Sequence, residues 1–326
     1  MIKVLVRDLL NAVRYVKPVT TRSSRPALRH ILFRVCTPEL MLTATDTEVV
    51  KSASVYAESG GYVNYECLVD PKVALTYLRK FKPSDTIEIG PFDDIMSNMS
   101  PTEFPVMNMI GHYAGEVTGI RKLLWVDEEL LDSGWGGCII RNDRIYVIGK
   151  YTVGIIPVKL SLPKPMQPSR YMMQQVRTLK SDTFSMHVSD CSTVLYAPGR
   201  LLSGRDVENV IKTADIDRAL VDTPTDMTCS LDAAALRDVL PGYRGPEKIS
   251  INTFGLTIRD RTVSFSDFIC TVPEREFFLN MGYLEDMLAE LSGTISLSTA
   301  GTVYTPVIIK DSYGFIGVIA KYRKVD

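Results

Sequence analysis

The chain has 326 residues, of which 45% are hydrophobic and 23% are charged, a balance that excludes a disordered or fibrous protein and fits two or three globular domains. Its 37 basic and 38 acidic residues give a net charge of −1, which excludes a strongly basic nucleic-acid binder but not a local basic face. There is no run of 18 apolar residues, and Arg7 and Asp8 interrupt the first segment. We therefore expect no membrane-spanning helix, no signal peptide and a cytoplasmic protein.

Motifs of catalysis and metal binding are missing from the sequence. The six cysteines are scattered singly, without a CxxC pair, which predicts buried, reduced thiols. The three histidines (His30, His112 and His187) form no ligand motif, and HExxH, GxSxG, Walker A and GxGxxG patterns are absent. We therefore expect a binding or scaffolding protein with no catalytic residues, no cofactor and no metal.

Three segments repeat one pattern, in which a short amphipathic helix is followed by a turn and an alternating strand. They are DPKVALTYLRKFKPSDTIEIG (70–90), PSRYMMQQVRTLKSDTFSMHV (168–188) and NMGYLEDMLAELSGTISLST (280–299). A second predicted helix lies ahead of each, within 4–19, 124–134 and 229–240, and strands with hairpin signals follow it. The sequence thus predicts an α+β protein of three repeated domains, each with two helices packed on antiparallel sheet. The predicted domains are 1–112, 113–222 and 223–326, with Gly111 to Gly119 expected to be a linker.

Basic residues recur at the spacing i, i+7, i+10 on three of the predicted helices. The trios are Arg7, Arg14 and Lys17, then Lys72, Arg79 and Lys82, and finally Arg170, Arg177 and Lys180. Because seven residues are two helical turns, each trio is expected to lie along one helix face. Charges on a single helix often only solvate an exposed face. The same stripe on three helices is what contact with phosphates, without reading of bases, requires.

Residues 22–48, RSSRPALRHILFRVCTPELMLTATDTE, resemble the first-domain signature of the bacterial β sliding clamps, the processivity factors of replicative DNA polymerases. Glu103-Phe104-Pro105 and Ser203-Gly204-Arg205 resemble later elements of that family, and PVIIKDSYGFIGVIAKYR resembles its C-terminal strands. The resemblance spans nearly the whole chain and lies in the order and spacing of these segments. The chain is shorter than is usual for the family, and Val318-Ile319-Ala320-Lys321 replaces the usual Met-Pro-Met-Arg. These departures point to a virus- or plasmid-encoded member, or to a lineage with its own partners.

The resemblance implies the clamp fold and a head-to-tail homodimer that closes into a ring around double-stranded DNA. Helices would line the hole, Arg25 would join the basic trios near DNA, and binding would not depend on sequence. The replicative polymerase and the clamp loader would dock short peptide motifs in an apolar pocket between the second and third domains. The matching pocket positions are Trp135, Val147, Gly149, Lys150, Tyr151, Val153, Val207, Ile211, Val318, Ile319 and Ala320. The protein would act at the nucleoid, or in the host cytoplasm if it is virus-encoded.

Two other classes of protein stay open at this point. An enzyme with a dispersed active site would place a cluster of perturbed acids in a pocket, and nothing in the sequence favours it. A non-enzymatic viral structural or assembly protein, built from repeated α+β domains, would not contact DNA. The matched basic stripes favour the clamp over this alternative.

Overall fold

The computed structural model describes residues 1–90, 99–105, 111–126, 137–207, 216–218, 225–240, 242, 244–270, 274–302 and 305–322. The chain forms two compact units. The first unit contains Met1–Glu116 and Tyr171–Asp206, and the second contains Val117–Arg170 and Val207–Asp326. The division into three domains stays a prediction.

The helices are short and the strands are numerous. The α-helices that the structure describes in full are α1 (Val6–Thr20), α2 (Pro71–Leu78), α3 (Arg170–Val176), α4 (Ala233–Asp238) and α5 (Met281–Ala289). The strands are β1 (Ile2–Leu5), β2 (Ile31–Cys36), β3 (Glu39–Thr45), β4 (Val49–Tyr56), β5 (Asn64–Val69), β6 (Thr86–Ile89), β7 (His112–Thr118), β8 (Gly137–Ile140), β9 (Arg144–Ile148), β10 (Thr152–Pro157), β11 (Thr183–Val188), β12 (Ser192–Ala197), β13 (Arg200–Arg205), β14 (Met227–Asp232), β15 (Pro246–Asn252), β16 (Gly255–Ile258), β17 (Arg261–Val263), β18 (Asp267–Cys270), β19 (Glu274–Asn280), β20 (Thr294–Thr299), β21 (Val307–Asp311) and β22 (Ile316–Ile319). The predicted mixture of helices and antiparallel sheet is confirmed.

The first unit is built on an eight-stranded sheet in the order β5-β2-β3-β4-β13-β12-β11-β7. Strand β4 pairs with β13 in an antiparallel register that places Lys51 opposite Leu202. This seam joins segments of the first and second predicted domains in one sheet. A two-stranded sheet of β1 and β6 completes the unit.

The two faces of this sheet carry different layers. The side chain of Lys51 donates a hydrogen bond to the backbone carbonyl of Tyr15 in α1. The sheet face that carries Lys51 is therefore the face covered by α1. Leu32 pairs with Thr43, which pairs with Ser52, and this row lies on the opposite face because side chains alternate along a strand. Leu32 packs there against Ala27, Leu28, Leu68 and Phe104. The segment after α1 therefore crosses from the helix layer to the other side of the sheet.

The second unit contains an eight-stranded sheet, β18-β14-β20-β21-β22-β10-β9-β8, and a four-stranded sheet, β17-β16-β15-β19. The pairing of β10 with β22 places Gly154 opposite Gly317. A Cβ at Gly154 would lie 2.9 Å from Leu123 Cδ2, and a Cβ at Gly317 would overlap the sulfur of Met287 in α5. These paired glycines let helical segments approach the sheet closely.

Two local expectations are wrong. The segment from Gly111 to Gly119 was expected to be a linker, but it contains strand β7. Cys36 and Cys191 are exposed, whereas Cys67, Cys138 and Cys229 are buried. All five of these cysteines are free thiols.

Candidate nucleic-acid interface and peptide pocket

Helix α1 carries its basic trio on the side away from the core. Leu9, Val13 and Val16 are buried, while Arg7 and Arg14 are exposed and Lys17 is half-buried. The apolar residues follow the helical period, which gives α1 one buried and one polar face. The Nε of Arg7 lies 3.2 Å from Asp8 Oδ1, so part of its charge is compensated locally. Arg14 has no carboxylate partner among the described residues.

Helix α2 is shorter than the basic spacing predicts. It begins after Asp70, whose side chain accepts hydrogen bonds from the N–H groups of Lys72 and Val73, and it ends at Leu78. The N–H of Arg79 still donates to Leu75 O at 3.2 Å, which keeps Arg79 on the helical path. Lys82 lies beyond the helix, and its N–H donates to Asp85 Oδ2. The expectation that Lys82 shares the helix face is therefore wrong, although Lys72, Arg79 and Lys82 are all exposed.

The third trio is also divided between elements. Helix α3 covers Arg170–Val176, and a 3-10 turn covers Arg177–Leu179. Lys180 ends the turn with a φ of 56°, in the left-handed conformation that often terminates helices. Arg177 and Lys180 are exposed, but Arg170 is half-buried. A single helical stripe is thus formed only on α1, because α2 ends after eight residues and α3 after seven, whereas each trio spans eleven positions.

Arg25 occupies a different layer from the trios. It is exposed and directly precedes the 3-10 turn Pro26–Arg29, the segment that packs on the sheet face opposite α1. Arg25 therefore lies where the chain leaves the helix layer, at its margin.

A buried cationic centre lies beneath α1 and has no counterpart in the sequence patterns. The Nζ of Lys51 donates to Tyr15 O at 3.2 Å and to Thr178 Oγ1 at 2.8 Å. Arg200 donates to Thr178 O at 2.8 Å and lies over the Tyr15 ring. Burial, with a smaller contribution from Arg200, lowers the pKa of Lys51 to about 7. Lys51 lies on the inner face because side chains alternate along β4. The sequence does not predict this burial, because a lysine is normally expected at an exposed position.

The expected pocket residues on β9, β10 and β22 are brought together by strand pairing. Val153 lies opposite both Ile148 and Val318, and Gly154 lies opposite Val147. Because the side chains alternate, Val153 and Val318 share one face of the sheet, while Val147 and Ile319 share the other. Ile319 is fully buried. These four residues therefore do not share one face of the sheet, and Ile319 is a core residue.

The turn between β9 and β10 presents the exposed part of the expected pocket. Within the turn, the N–H of the buried Gly149 donates to Thr152 O at 2.8 Å. The N–H of Ala320 donates to Tyr151 O at 2.8 Å. Lys150, Tyr151 and Ala320 are exposed. This turn and the end of β22 thus form one exposed surface.

Of the three other expected pocket positions, one follows strand β13 and two lie outside the described part of the chain. Val207 is exposed, and its N–H donates to Gln167 O at 2.7 Å. Trp135 and Ile211 fall outside the described residues.

The end of the C-terminal strand is fixed by a lysine. Lys321 Nζ donates to the carbonyl oxygens of Ala300 and Thr302. Burial lowers its pKa to about 8. These bonds hold the backbone next to Ala320 in place.

Metal and membrane sites are not found in the part of the chain that the structure describes. No group of three His, Cys, Asp or Glu side chains there is arranged to hold a metal ion. None of the described helices has the length and apolar character to cross a membrane.

The whole fold is that of the bacterial sliding clamps. The sliding clamp of Helicobacter pylori, solved with a DNA ligase peptide, matches with a TM-score of 0.80 and 14% identity over 99% of both chains. The DNA polymerase sliding clamp of Bacillus subtilis matches with a TM-score of 0.77 and 13% identity over 99% of both chains. A clamp of Pseudomonas aeruginosa bound to griselimycin matches with a TM-score of 0.77 and 14% identity over 98% of both. The clamp fold expected from the sequence is confirmed.

Sequence comparison alone finds no relatives. No protein-family model matches the chain, and no curated protein matches it significantly.

Proposed function

We propose that the protein is a DNA sliding clamp, a non-enzymatic ring that holds a replicative DNA polymerase on its template in the cytoplasm. One observation carries the proposal: a chain with the clamp fold over 98–99% of its length exposes Arg14, Lys72 and Arg79 on its helices. Such side chains attract phosphates through charge alone, without a defined base contact. A closed ring needs no tighter grip, because topology retains it on DNA.

The repeated pairing of strands supports a head-to-tail homodimer. In the first predicted domain, β4 is the third strand after the first helix, and it pairs with β13, the last strand of the second predicted domain. In the second predicted domain, β10 is the corresponding strand, and it pairs with β22, the last strand of the third predicted domain. The corresponding strand of the third predicted domain is β17, which pairs only with β16 among the described strands. If the third predicted domain pairs with the next domain in the same way, β17 pairs with the first domain of a second copy. The same contact formed by the second copy closes a ring of six domains.

The dimer proposal is tested at Thr262. Ile258 and Arg261 are paired across a two-residue turn, so the N–H of Thr262 points away from β16, toward the free edge. Proline removes that donor and leaves the pairing with β16 in place. Light scattering should give about twice 36.4 kDa for the native chain and a monomer for Thr262→Pro. Thr262→Val, which removes the same hydroxyl but keeps the N–H, is the control; a native chain that stays monomeric at micromolar concentration would overturn the dimer.

Encirclement of DNA is tested by topology. The dimer is diluted until it dissociates, mixed with nicked circular plasmid and concentrated, so that rings close around the circle. Gel filtration should then show protein comigrating with circles, and cutting the plasmid once should release it. Protein that stays bound after linearisation is held by contact alone, which would contradict the clamp.

The role of the basic side chains is tested in the same assay. Arg14→Glu with Arg79→Glu should weaken retention, with the difference shrinking as salt rises. Lys159→Glu with Lys164→Glu makes the same charge change in an exposed segment outside the helices and should have little effect. If both double variants are retained equally on circular DNA, the basic residues of the helices do not contribute to DNA binding.

We propose that the exposed surface of the β9–β10 turn and Ala320, together with Val207, forms the peptide pocket. Val207 is 45% exposed, and Val73 on α2 is 43% exposed, so the two positions are matched for substitution. A fluorescent peptide from the C-terminus of the cognate polymerase should bind Val207→Asp at least tenfold more weakly than the native chain, because an uncompensated carboxylate in an apolar groove is costly. Val73→Asp should bind normally. Equal affinity for both variants would place the partner surface elsewhere.

A further inference from the structure

A groove of about 520 Å³ lies in the first unit, and its walls contain none of the proposed DNA-binding or peptide-pocket residues. Its walls include Thr37 and Pro38 from the β2–β3 turn, Tyr56 from the end of β4, and Glu58 and Tyr62 from the segment that follows. It is therefore built by one stretch of chain, 37–62, and is complete within a single unit.

The backbone around the groove is held by hydrogen bonds. The N–H of Glu58 donates to Lys3 O at 2.9 Å, and the N–H of Lys3 donates to Glu58 O at 2.7 Å. The N–H of Ala57 donates to Pro38 O at 2.8 Å. The groove is thus preformed, so that a ligand need not pay for ordering its walls.

Two aromatic rings are left uncovered in this groove. Tyr56 is 66% exposed and Tyr62 is 75% exposed, although tyrosine rings bury well and carry much of the contact energy at interfaces. Pro38 adds a rigid apolar surface beside them. These walls fit a flat or extended ligand.

The electrostatics of the groove are acidic. Glu58 lines it, and Glu39 lies directly opposite Tyr56 in the β3–β4 register. Among the described residues, neither carboxylate has a cationic nitrogen within 4.0 Å, and Lys3 is paired with Glu88 at 3.3 Å. Uncompensated carboxylates beside tyrosine faces favour a cation that can also stack.

We propose that this groove binds an arginine side chain in an extended basic segment of a partner protein. The guanidinium is planar, stacks on aromatic rings and forms paired hydrogen bonds with a carboxylate, whereas the lysine ammonium is a compact, strongly hydrated charge. The arginine lies against Tyr56 or Tyr62 and donates to Glu58, while Pro38 contacts the backbone of the segment. This site does not depend on ring formation or on DNA.

The proposal is tested with an N-acetylated Gly-Arg-Gly-Arg-Gly amide labelled with fluorescein. Anisotropy at low salt should show saturable binding to the native chain, and the peptide with lysine in place of arginine should bind at least threefold more weakly. Glu58→Gln and Tyr62→Ala should each weaken binding at least tenfold. The controls are Glu103→Gln and Tyr113→Ala, which alter an exposed acid and an exposed tyrosine outside the groove.

A second readout uses Cys36 and Cys191, the two exposed thiols among the five described cysteines. Cys36 Sγ lies 3.7 Å from the Tyr62 hydroxyl, whereas Cys191 lies outside the groove. The arginine peptide should slow alkylation of Cys36 and leave Cys191 unchanged. Equal binding by Glu58→Gln and Glu103→Gln, equal affinity for the two peptides, or no binding at millimolar concentration would each overturn the proposal.

Discussion

Replacing Lys51 with methionine should stabilise the protein, because the fold buries an ammonium group that has no carboxylate partner among the described residues. Lys51 is fully buried, and its two hydrogen-bond acceptors are the neutral oxygens of Tyr15 and Thr178. Methionine has a similar length and keeps the packing. The substitution leaves the Tyr15 carbonyl with one hydrogen bond fewer, which offsets part of the gain.

The magnitude follows from the pKa of Lys51, which falls from 10.5 to about 7 on folding. Each unit of pKa corresponds to about 1.4 kcal/mol, so the protonated side chain costs about 4–5 kcal/mol relative to a site that leaves its pKa unchanged. After the lost hydrogen bonds are subtracted, Lys51→Met should raise the free energy of unfolding by about 1–4 kcal/mol at pH 7, as is seen when buried charges are replaced by apolar residues.

The lowered pKa of Lys51 also determines how the free energy of unfolding changes with pH. The folded pKa is lowered, so between pH 7 and 10.5 the unfolded chain binds the proton that the folded chain has lost, and stability rises with pH. Urea denaturation at pH 7 and pH 9.5 should show native stability rising by about 2–3 kcal/mol from this group. The rise should be smaller in Lys51→Met, while Lys82→Met, an exposed control, should keep the native slope. A methionine variant that is less stable than the native chain, with an unchanged slope, would refute the reasoning.

Three further substitutions test the packing and capping. Gly154→Val should lower the free energy of unfolding by about 1–3 kcal/mol in urea denaturation, since the new side chain overlaps Leu123. Asp70→Ala should cost about 1 kcal/mol in the same measurement, because it removes the N-cap of α2; Asp190→Ala, at an exposed position outside any helix, should not. Ile319→Asp should abolish the folded near-ultraviolet circular dichroism spectrum, since it buries a carboxylate in the core. A folded Ile319→Asp protein would contradict the assignment of Ile319 to the core.

The sequence predicts the regular elements well because each carries its own period. The helix predicted within 4–19 and the alternating segments 31–46 and 248–266 correspond to a helix and strands that the structure confirms. The spacing of the basic residues does not predict where α2 and α3 end. Charged side chains on an exposed surface fit a helix or a turn equally, so a spacing of seven does not show where the backbone hydrogen bonds change.

Glycine misled the sequence interpretation at β7. The sequence predicts a linker from Gly111 to Gly119, but the segment contains β7. In the structure a Cβ on Gly111 would lie 2.9 Å from the Val188 carbonyl oxygen, so this glycine permits close contact between strands rather than flexibility. A glycine selected for close approach and one selected for freedom look identical in a sequence, because only the neighbour across the sheet distinguishes them.

The two proposed clamp surfaces differ in how far sequence can specify them. A basic lining acts through charges whose fields extend several ångströms, so Arg79 serves as well at a helix end as within the helix. A peptide pocket acts through contacts, and a shift of one position along a strand moves a side chain to the other face. The consecutive residues Val318 and Ile319 illustrate this, since one reaches the face of Val153 and the other the core beside Val307. At 13–17% identity to solved clamps, a charged surface can therefore survive extensive substitution, whereas each anchor of a pocket has to be established by its own variant.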